Sequence, residues 1–307
     1  MPARPKETWV PLRRRLVIAL VPALLLVLGA AAPAASAASR IVFTKERDVW
    51  TILPSGEGLR RLTRDDAWQH DVAWSPDRRR IAYVEGGRTV MVMDRRGHAR
   101  RELFRVPDRF EEVDSLTWSP RGNHVAFASA RYIDVPRGIR DCGQVWIVRV
   151  RDARARPIVT REPHVTGVSW SPGGTWLAVG FEHQNMTVAC GGDAPLGIAT
   201  VRRDGSGLHG LGVRFGTDPD WAPDGTPIVY RDWRHTCHIC GEVWTVRPNG
   251  KDDELLARPP TEEGGLTSPR YSPSGRRLAA RGDGLWILRA DGTILRRIAR
   301  HVETIDW

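Results

Sequence analysis

The stretch "VAWSPDRRRIAYV" at residues 72–84 decides the fold, because the same pattern recurs along the chain. It returns as "LTWSPRGNHVAFA" from residue 116, "VSWSPGGTWLAVG" from 168, "PDWAPDGTPIVYR" from 219 and "PRYSPSGRRLAAR" from 269. In every copy an aromatic residue stands seven positions before a short apolar run, with a Pro-containing turn between them. Pro presets the turn and Gly supplies its left-handed position, so each copy predicts a β-hairpin.

Two more strands complete the repeating unit. A third apolar strand follows each hairpin, for example "TVMVMD" at 89–94 and "EVWTVR" at 242–247. It ends at a polar turn such as "RRDGSG" at 202–207, after which a short fourth strand begins. Asp-Gly and Asn-Gly sequences favour tight hairpin turns. The unit is therefore predicted to be a four-stranded meander.

The two ends of the repeat region supply one further unit between them. The region starts at a second strand, "RIVFTK" at 40–45, and stops on "VETIDW" at 302–307, which matches a first strand up to its tryptophan. We therefore predict an all-β fold over residues 38–307: a six-bladed β-propeller of four-stranded antiparallel blades, closed by a C-terminal strand. Closure removes the free strand edges of an open array.

The turns at residues 74–77 and 221–225 resemble the Trp-Ser-Pro-Asp-Gly turn of the TolB-like propellers. The resemblance covers nearly all of residues 38–307 and implies a fold, not a function. The namesake of that family carries an additional N-terminal α/β domain, whereas a blade already begins at Arg40 here, so the partner binding known for the namesake is not carried over. Other members are fused to a serine hydrolase, but no Gly-x-Ser-x-Gly elbow occurs in this sequence.

The N-terminus has the features of a secretory signal peptide. Three arginines at 13–15 precede an apolar segment, and an Ala-x-Ala site ends at Ala37, which predicts a signal over residues 1–37. An uncleaved membrane anchor is the alternative, because the uncharged stretch is long enough to span a bilayer. In both cases we expect the propeller to be secreted or otherwise outside the cytoplasm, and to contact a membrane only through an uncleaved N-terminal segment.

Charge and composition exclude some classes of partner. Residues 38–307 contain 41 basic and 35 acidic residues, and the arginines cluster in turn-like stretches such as "DRRGHARR" at 94–101. Such clusters indicate a solvated surface, and export makes a nucleic-acid partner unexpected. We expect a monomer with no nucleic-acid partner and no cofactor, whose partner is a protein or a cell-envelope component.

Long loops are predicted on one face of the ring. The loop between the second and third strands is short in blades 1, 2 and 6, but it extends over 131–143, 182–195 and 232–241 in blades 3, 4 and 5. Loops on a rigid scaffold commonly carry binding function. We therefore predict a non-catalytic site there for a protein, a peptide or a cell-envelope glycan. Its candidate residues are Tyr132, Asp141, His183, Trp233, His235 and His238.

The four cysteines, Cys142, Cys190, Cys237 and Cys240, all fall in these three loops. An exported chain with an even number of cysteines favours disulfides. Cys142 with Cys190 beside Cys237 with Cys240 is one pairing, and Cys190 with Cys237 beside Cys142 with Cys240 is the other. A zinc or copper site at His235, Cys237, His238 and Cys240 is the alternative, with help from His183 or Cys142.

An enzyme is the second interpretation of the same face. It would be a saccharide lyase or hydrolase, or a metal-assisted enzyme. It would use His183, His235 and His238 with Asp141 and Asp232 near the channel mouth. The sequence contains no recognisable catalytic motif, so a binding module is the favoured interpretation.

Overall fold

The structure is a computed structural model that describes residues 39–107, 112–135, 138–162, 164–182, 197–233, 241–260 and 265–307. The chain divides into two units, Met1–Ala37 and Ala38–Trp307, and the described residues belong to the second. They form 24 β-strands. Among them we find no helix of the length and apolar character needed to cross a membrane.

The strands form six sheets of four strands each. Blade 1 contains β24 (Ile305–Asp306), β1 (Ile41–Lys45), β2 (Asp48–Ile52) and β3 (Arg60–Arg61), and blade 2 contains β4 (Gln69–Trp74), β5 (Arg80–Glu85), β6 (Thr89–Asp94) and β7 (Arg101–Arg105). Blade 3 contains β8 (Glu112–Trp118), β9 (His124–Val135), β10 (Gly138–Arg149) and β11 (Ala155–Glu162), and blade 4 contains β12 (His164–Trp170), β13 (Trp176–Glu182), β14 (Gly197–Arg202) and β15 (His209–Gly210). Blade 5 contains β16 (Gly216–Trp221), β17 (Ile228–Asp232), β18 (Glu242–Val246) and β19 (Glu254–Ala257), and blade 6 contains β20 (Thr267–Tyr271), β21 (Arg277–Arg281), β22 (Gly284–Arg289) and β23 (Ile294–Arg300).

The predicted six-bladed propeller is confirmed, and so is its closure. Neighbouring strands of each blade pair antiparallel, and β24 pairs with β1 through Val42 opposite Asp306 and Phe43 opposite Ile305. The indole N–H of Trp307 donates to the backbone oxygen of Ser39 at 3.0 Å. The last strand of the chain thus completes the first blade.

The recurring aromatic residue at the end of each inner strand packs between neighbouring blades, as its recurrence predicts. Trp118 is 6% exposed and lies in a cluster with Ala73, Ala82 and Val84 of blade 2. The equivalent aromatic is buried in every blade, as Trp74, Trp170, Trp221, Tyr271 and Trp307. Large rings therefore fill the wedge-shaped space between sheets.

Side chains connect the inner strands of adjacent blades, which form separate sheets. Ser169 accepts a hydrogen bond of 3.0 Å from the backbone N–H of Trp221 in the next blade. Asp220 accepts one of 2.7 Å from the backbone N–H of Tyr271. Both acceptors stand immediately before the aromatic residue of their own blade. The side chain at this repeat position thus accepts a hydrogen bond from a backbone N–H that has no partner in its own sheet.

Glycines in the turns between third and fourth strands allow close approach of neighbouring blades. Gly97 has φ +89°, and a Cβ atom there would lie 2.4 Å from the backbone oxygen of Leu62 in blade 1. Gly292 has φ +86°, and its Cβ atom would lie 1.9 Å from the backbone oxygen of Leu256 in blade 5. Both the backbone conformation and the space therefore require glycine.

A four-stranded meander sorts its connections onto two faces. We call the face with the second-to-third-strand loops and the links between blades the loop face, and the opposite one the turn face.

The sequence predicts a loop over residues 131–143 in blade 3, and this prediction is wrong because most of these residues are in strands. Strands β9 and β10 continue through that region as 12-residue strands, paired as far as Val135 opposite Gly138. Aromatic and β-branched residues here extend the hairpin although charged residues are interspersed.

Candidate functional site

The central channel opens on the loop face into a cavity of about 270 Å³, which we call the channel mouth. All six blades contribute to its lining, through the first residues of the inner strands and the last residues of the second strands. The ionisable residues that line it are Asp71, Asp114, His164, Glu182, Asp218, Arg231, Arg270, Arg281 and Glu303.

A β-bulge in the inner strand places polar residues at this opening. The pairing register shifts between His70 and Val72 in blade 2, and again in the inner strands of blades 3 to 6. The bulged residues Asp71, Ser115, Asp218 and Ser268 have φ between 42° and 52°. A bulge bends the strand and redirects its side chains, so four blades present a polar residue where regular alternation would not.

Carboxylates without arginines line the channel mouth on blades 2 to 4, as Asp71, Asp114 and Glu182. Burial raises the pKa of Asp114, and the negative charges of Asp71 and Glu112 raise it further, to about 7. Near neutral pH this carboxyl group is therefore only partly ionised.

His70 lies behind the same acidic side. Its Nδ1 atom is 2.8 Å from Oδ2 of Asp71, and its ring stacks on Trp68 with centroids 4.3 Å apart. Burial by itself lowers the pKa of His70. The hydrogen bond to Asp71 and the charges of Asp71, Glu112 and Asp114 outweigh that effect, so the pKa is raised overall. The imidazole therefore partly balances the acids around it.

Arginines line the opposite side of the channel mouth, on blades 5 and 6. Arg281 donates to the backbone oxygen of Glu303 at 2.7 Å and to Oγ1 of Thr267 at 3.0 Å. Arg270 donates to the backbone oxygen of Pro269 at 2.9 Å. The Nε atom of Arg231 is buried with no partner among the described residues. None of the three arginines forms an ion pair with another described residue.

Most of the residues predicted from sequence lie outside the residues whose side chains are described. Tyr132 and Asp141 are directly opposite each other on β9 and β10, which brings them together on blade 3, but only their backbone is described. His183, His235 and His238, as well as Cys190, Cys237 and Cys240, lie outside the described residues. Their roles as binding or metal-ligating residues stay predictions.

Two further candidates, Trp233 and Asp232, are described in full. Trp233 packs edge-to-face against Phe215 at 5.1 Å, and its buried indole N–H has no partner among the described residues. Asp232 is 1% exposed at the end of β17, which leaves its carboxyl group poorly accessible to a ligand.

Cys142 is disulfide-bonded, and the residue that it pairs with lies outside the described ranges. Its connectivity therefore stays a prediction. Within the described part of the chain, no three His, Cys, Asp or Glu side chains are grouped so as to hold a metal ion. The alternative metal site at His235, Cys237, His238 and Cys240 lies outside that part.

The sequence-based prediction missed the channel-mouth residues, although a signal was present. Asp71, Asp218, Ser268 and Thr304 each stand three positions before the aromatic residue of their repeat, and Asp114 stands four before its own. An inner-strand position that is polar in most repeats indicates a surface shared by the whole ring. The sequence-based prediction placed the site on the long loops of blades 3 to 5 instead.

Comparison with known proteins supports the fold. The model of the WD domain, G-beta repeat, matches residues 155–193, which extend from β11 into the region after β13. No curated protein sequence matches the chain.

Solved structures that resemble the chain include TolB proteins and oligogalacturonate lyases of low sequence identity. TolB from Acinetobacter baumannii superposes with a TM-score of 0.66 at 17% identity, over 87% of this chain and 66% of that one, just under two thirds of its length. A proposed TolB from Agrobacterium tumefaciens gives 0.62 at 16% identity, over 85% and 90% of the two chains. An oligogalacturonate lyase in complex with manganese gives 0.56 at 14% identity, over 83% and 71%. The chain thus has the TolB-like propeller fold that its repeats predict.

Proposed function

We propose that the protein is an exported, non-catalytic binding module whose channel mouth receives a peptide segment with both acidic and basic residues, from a protein of the cell envelope. The observation that carries this proposal is the division of charge around one cavity. Asp71, Asp114 and Glu182 stand on blades 2 to 4 without an arginine, whereas Arg231, Arg270 and Arg281 stand on blades 5 and 6, where they outnumber the one lining acid described on that side, Asp218. Glu303 of blade 1 lies between the two sides. Complementary charge gives an interface its specificity and its orientation.

The neighbourhood of the cavity supports a macromolecular ligand. Strands β9 and β10 are twice as long as the six-residue strands β5 and β6 of blade 2, so blade 3 rises above the loop face beside the opening. At about 3.3 Å per residue, the additional length extends by roughly 20 Å. This hairpin offers a flank against which a bound segment can pack. The predicted signal peptide supports an extracytoplasmic partner.

Peptide binding tests the proposal. The full chain is titrated against a fluorescent peptide with a lysine block and a glutamate block, and against an analogue with glutamine at every charged position. We expect saturable binding of the charged peptide alone. Arg231→Gln and Glu182→Gln should each weaken it on the order of tenfold.

Arg276→Gln is the matched control, because it removes the same charge from an exposed position of the turn face. Its affinity should stay within about twofold of the unchanged protein. The proposal fails if the charged peptide does not bind, or if Arg276→Gln weakens binding as much as Arg231→Gln. Thermal melting of each variant shows that the ring remains folded.

A propeller-fold enzyme is the second candidate, and Asp114 is the observation that favours it. A carboxyl group with a pKa of about 7 in an open polar cavity has the property expected of a general acid or base. Incubation with oligogalacturonate, with and without Mn²⁺, tests this by the ultraviolet absorbance of an unsaturated product. Turnover that Asp114→Asn abolishes would establish the enzyme. Absence of turnover together with peptide binding would establish the binding module.

A further inference from the structure

A second cavity lies on the turn face, in the groove between blades 3 and 4, far from the loop connections. It has a volume of about 310 Å³. We call it the turn-face pocket, and the residues used here are His124, Arg149, Arg154, Arg156, Trp170 and Arg203. Apolar side chains of Ile147 and Ala155 complete part of its wall. Its size is at the lower end of the range for small-molecule sites.

The neighbouring blade junction shows why this cavity is open. Arg80 and His124 occupy the same repeat position, directly before the second strand's apolar run. Between blades 2 and 3, the Arg80 guanidinium carbon lies 4.7 Å from the Trp118 ring centre, and Nη2 donates to the backbone oxygen of Gly122 at 3.2 Å. Between blades 3 and 4, the shorter His124 and Trp170 line the cavity together. The space that Arg80 fills between blades 2 and 3 therefore remains empty here.

Two of the arginines around the pocket, Arg149 and Arg156, are held in place. Nε and Nη2 of Arg149 donate to the two carboxylate oxygens of Asp152 at 2.8 and 2.7 Å. Arg156 donates to the backbone oxygen of Arg203 at 2.6 Å. The guanidinium of Arg203 itself makes no ion pair within the described ranges. Because the geometry of Arg149 and Arg156 is fixed, these two donors lose little conformational entropy when they bind an anion.

The charge at the pocket is strongly positive. Four arginines line it, and Asp152 is the one carboxylate among the described residues that forms ion pairs with them. His124 adds no positive charge near neutral pH, because burial lowers its pKa and the positive charges of Arg203, Arg149 and Arg156 lower it further. A monocarboxylate would leave most of this charge uncompensated, whereas a phosphate monoester carries nearly two negative charges and three acceptor oxygens.

We propose that the turn-face pocket binds a phosphate group attached to a small organic body, with the phosphate on Arg149, Arg156 and Arg203 and the body against Ile147, Ala155 and Trp170. This site is distinct from the channel mouth and does not depend on the function proposed for it. The phosphate belongs to a free phosphorylated solute or to a lipid headgroup.

Calorimetric titration of the full chain with glycerol 3-phosphate and with inorganic phosphate tests the first source. Sedimentation with phosphatidylcholine vesicles, with and without phosphatidic acid, whose headgroup is a phosphate monoester, tests the second. Arg203→Gln should weaken binding on the order of tenfold. Arg202→Gln is the matched control, because this neighbour lies over the Trp176 ring at 5.0 Å and does not line the pocket. Its affinity should change by less than about twofold.

His124→Arg separates a specific pocket from general attraction to a positive surface. The variant recreates the arrangement of Arg80 and Trp118, so it fills the pocket while adding a positive charge. The proposal predicts loss of binding, whereas general attraction predicts stronger binding. Equal effects of Arg202→Gln and Arg203→Gln, tighter binding by His124→Arg, or no binding of any probe would each overturn it. The two glutamine variants decide the matter even if His124→Arg does not fold.

Discussion

The carboxylate of Asp306 accepts a hydrogen bond of 2.7 Å from the backbone N–H of Trp74, a residue 232 positions earlier in the chain. Asp306 lies in the closing strand β24 of blade 1, and Trp74 ends the inner strand of blade 2. Asp220 and Tyr271 form the same contact between blades 5 and 6. The chain terminus therefore completes one sheet and also joins that sheet to the next.

Asp306→Ala should lower the free energy of unfolding by about 1–3 kcal/mol, because it leaves the Trp74 N–H without its acceptor. Asp306→Asn keeps an acceptor oxygen at the same place and should cost clearly less. Urea denaturation followed by tryptophan fluorescence measures both. Equal stability of the alanine variant and the unchanged protein would show that the contact between Asp306 and Trp74 contributes nothing.

Deletion of residues 301–307 should be far more harmful than any single substitution. It removes β24, its pairing with β1 and the buried Trp307 side chain, and so exposes the inner edge of β1 in blade 1. We expect a sharply lower melting temperature and loss of a single cooperative transition, measured by calorimetry. A deletion variant that melts like the full chain would contradict closure by the C-terminal strand.

The pKa of Asp114 predicts a pH dependence of stability. Its folded value of about 7 lies above the usual value for an unfolded aspartate, so the folded state binds more protons between those two values. Stability conferred by protonated Asp114 is therefore lost as the pH rises towards 7. Asp114→Asn removes this loss. Its stability advantage should grow between about pH 5 and about pH 8 by on the order of 1–2 kcal/mol, after allowance for solvent access.

Urea denaturation of Asp114→Asn and of the unchanged protein at both pH values measures this difference in the free energy of unfolding. The control is Glu102→Gln, which neutralises an exposed carboxylate on the outer strand β7. Its difference from the unchanged protein should be the same at both pH values. An advantage of Asp114→Asn that shrinks as the pH rises would contradict the sign of the pKa shift.

Gly292→Ala and Gly86→Ala separate backbone strain from close packing. Both glycines have positive φ, but a Cβ atom at Gly86 meets nothing within 4 Å, whereas one at Gly292 meets the backbone of Leu256. Gly86→Ala should cost about 1–2 kcal/mol, the usual penalty for a left-handed alanine. Gly292→Ala should cost at least about 3 kcal/mol, because blades 5 and 6 must also separate. Similar melting temperatures for the two variants would contradict this account.

A thiol count separates disulfides from metal binding in the loop-face cysteines. We expect no free thiol in the denatured, unreduced protein, and Cys142 in a disulfide peptide after proteolysis. Mass spectrometry of that peptide identifies whether Cys142 pairs with Cys190 or with Cys240. Four free thiols together with stoichiometric zinc would favour the metal alternative.

The fold could be predicted because its signal is local and repeated. Each copy of the aromatic residue, the Pro-containing turn and the apolar run specifies the same hairpin, so an error in one copy does not alter the blade number. The hairpin of blade 3 was predicted as a loop because charged residues interrupt its alternation, as at Asp134 and Arg140. Pairing across β9 and β10 overrides that local signal.

The channel mouth could not be predicted in the same way, since it depends on ring closure. Asp71 and Arg281 are far apart in sequence and meet at one cavity through the arrangement of six separate sheets. The turn-face pocket is a different case, because it arises where His124 replaces the arginine found at Arg80. A comparison of repeats within the chain reveals that difference, but only the structure shows the space that it leaves.

The uneven rim of the channel mouth has a consequence for geometry. A ring of near-equivalent blades has approximate rotational symmetry, and a partner bound on its axis would have no preferred orientation about that axis. The acids of blades 2 to 4, the arginines of blades 5 and 6 and the tall hairpin of blade 3 break that symmetry. Under the proposed function, a bound segment would therefore have one preferred orientation about the channel axis, and the part of the partner that follows it would lie on a defined side of the loop face.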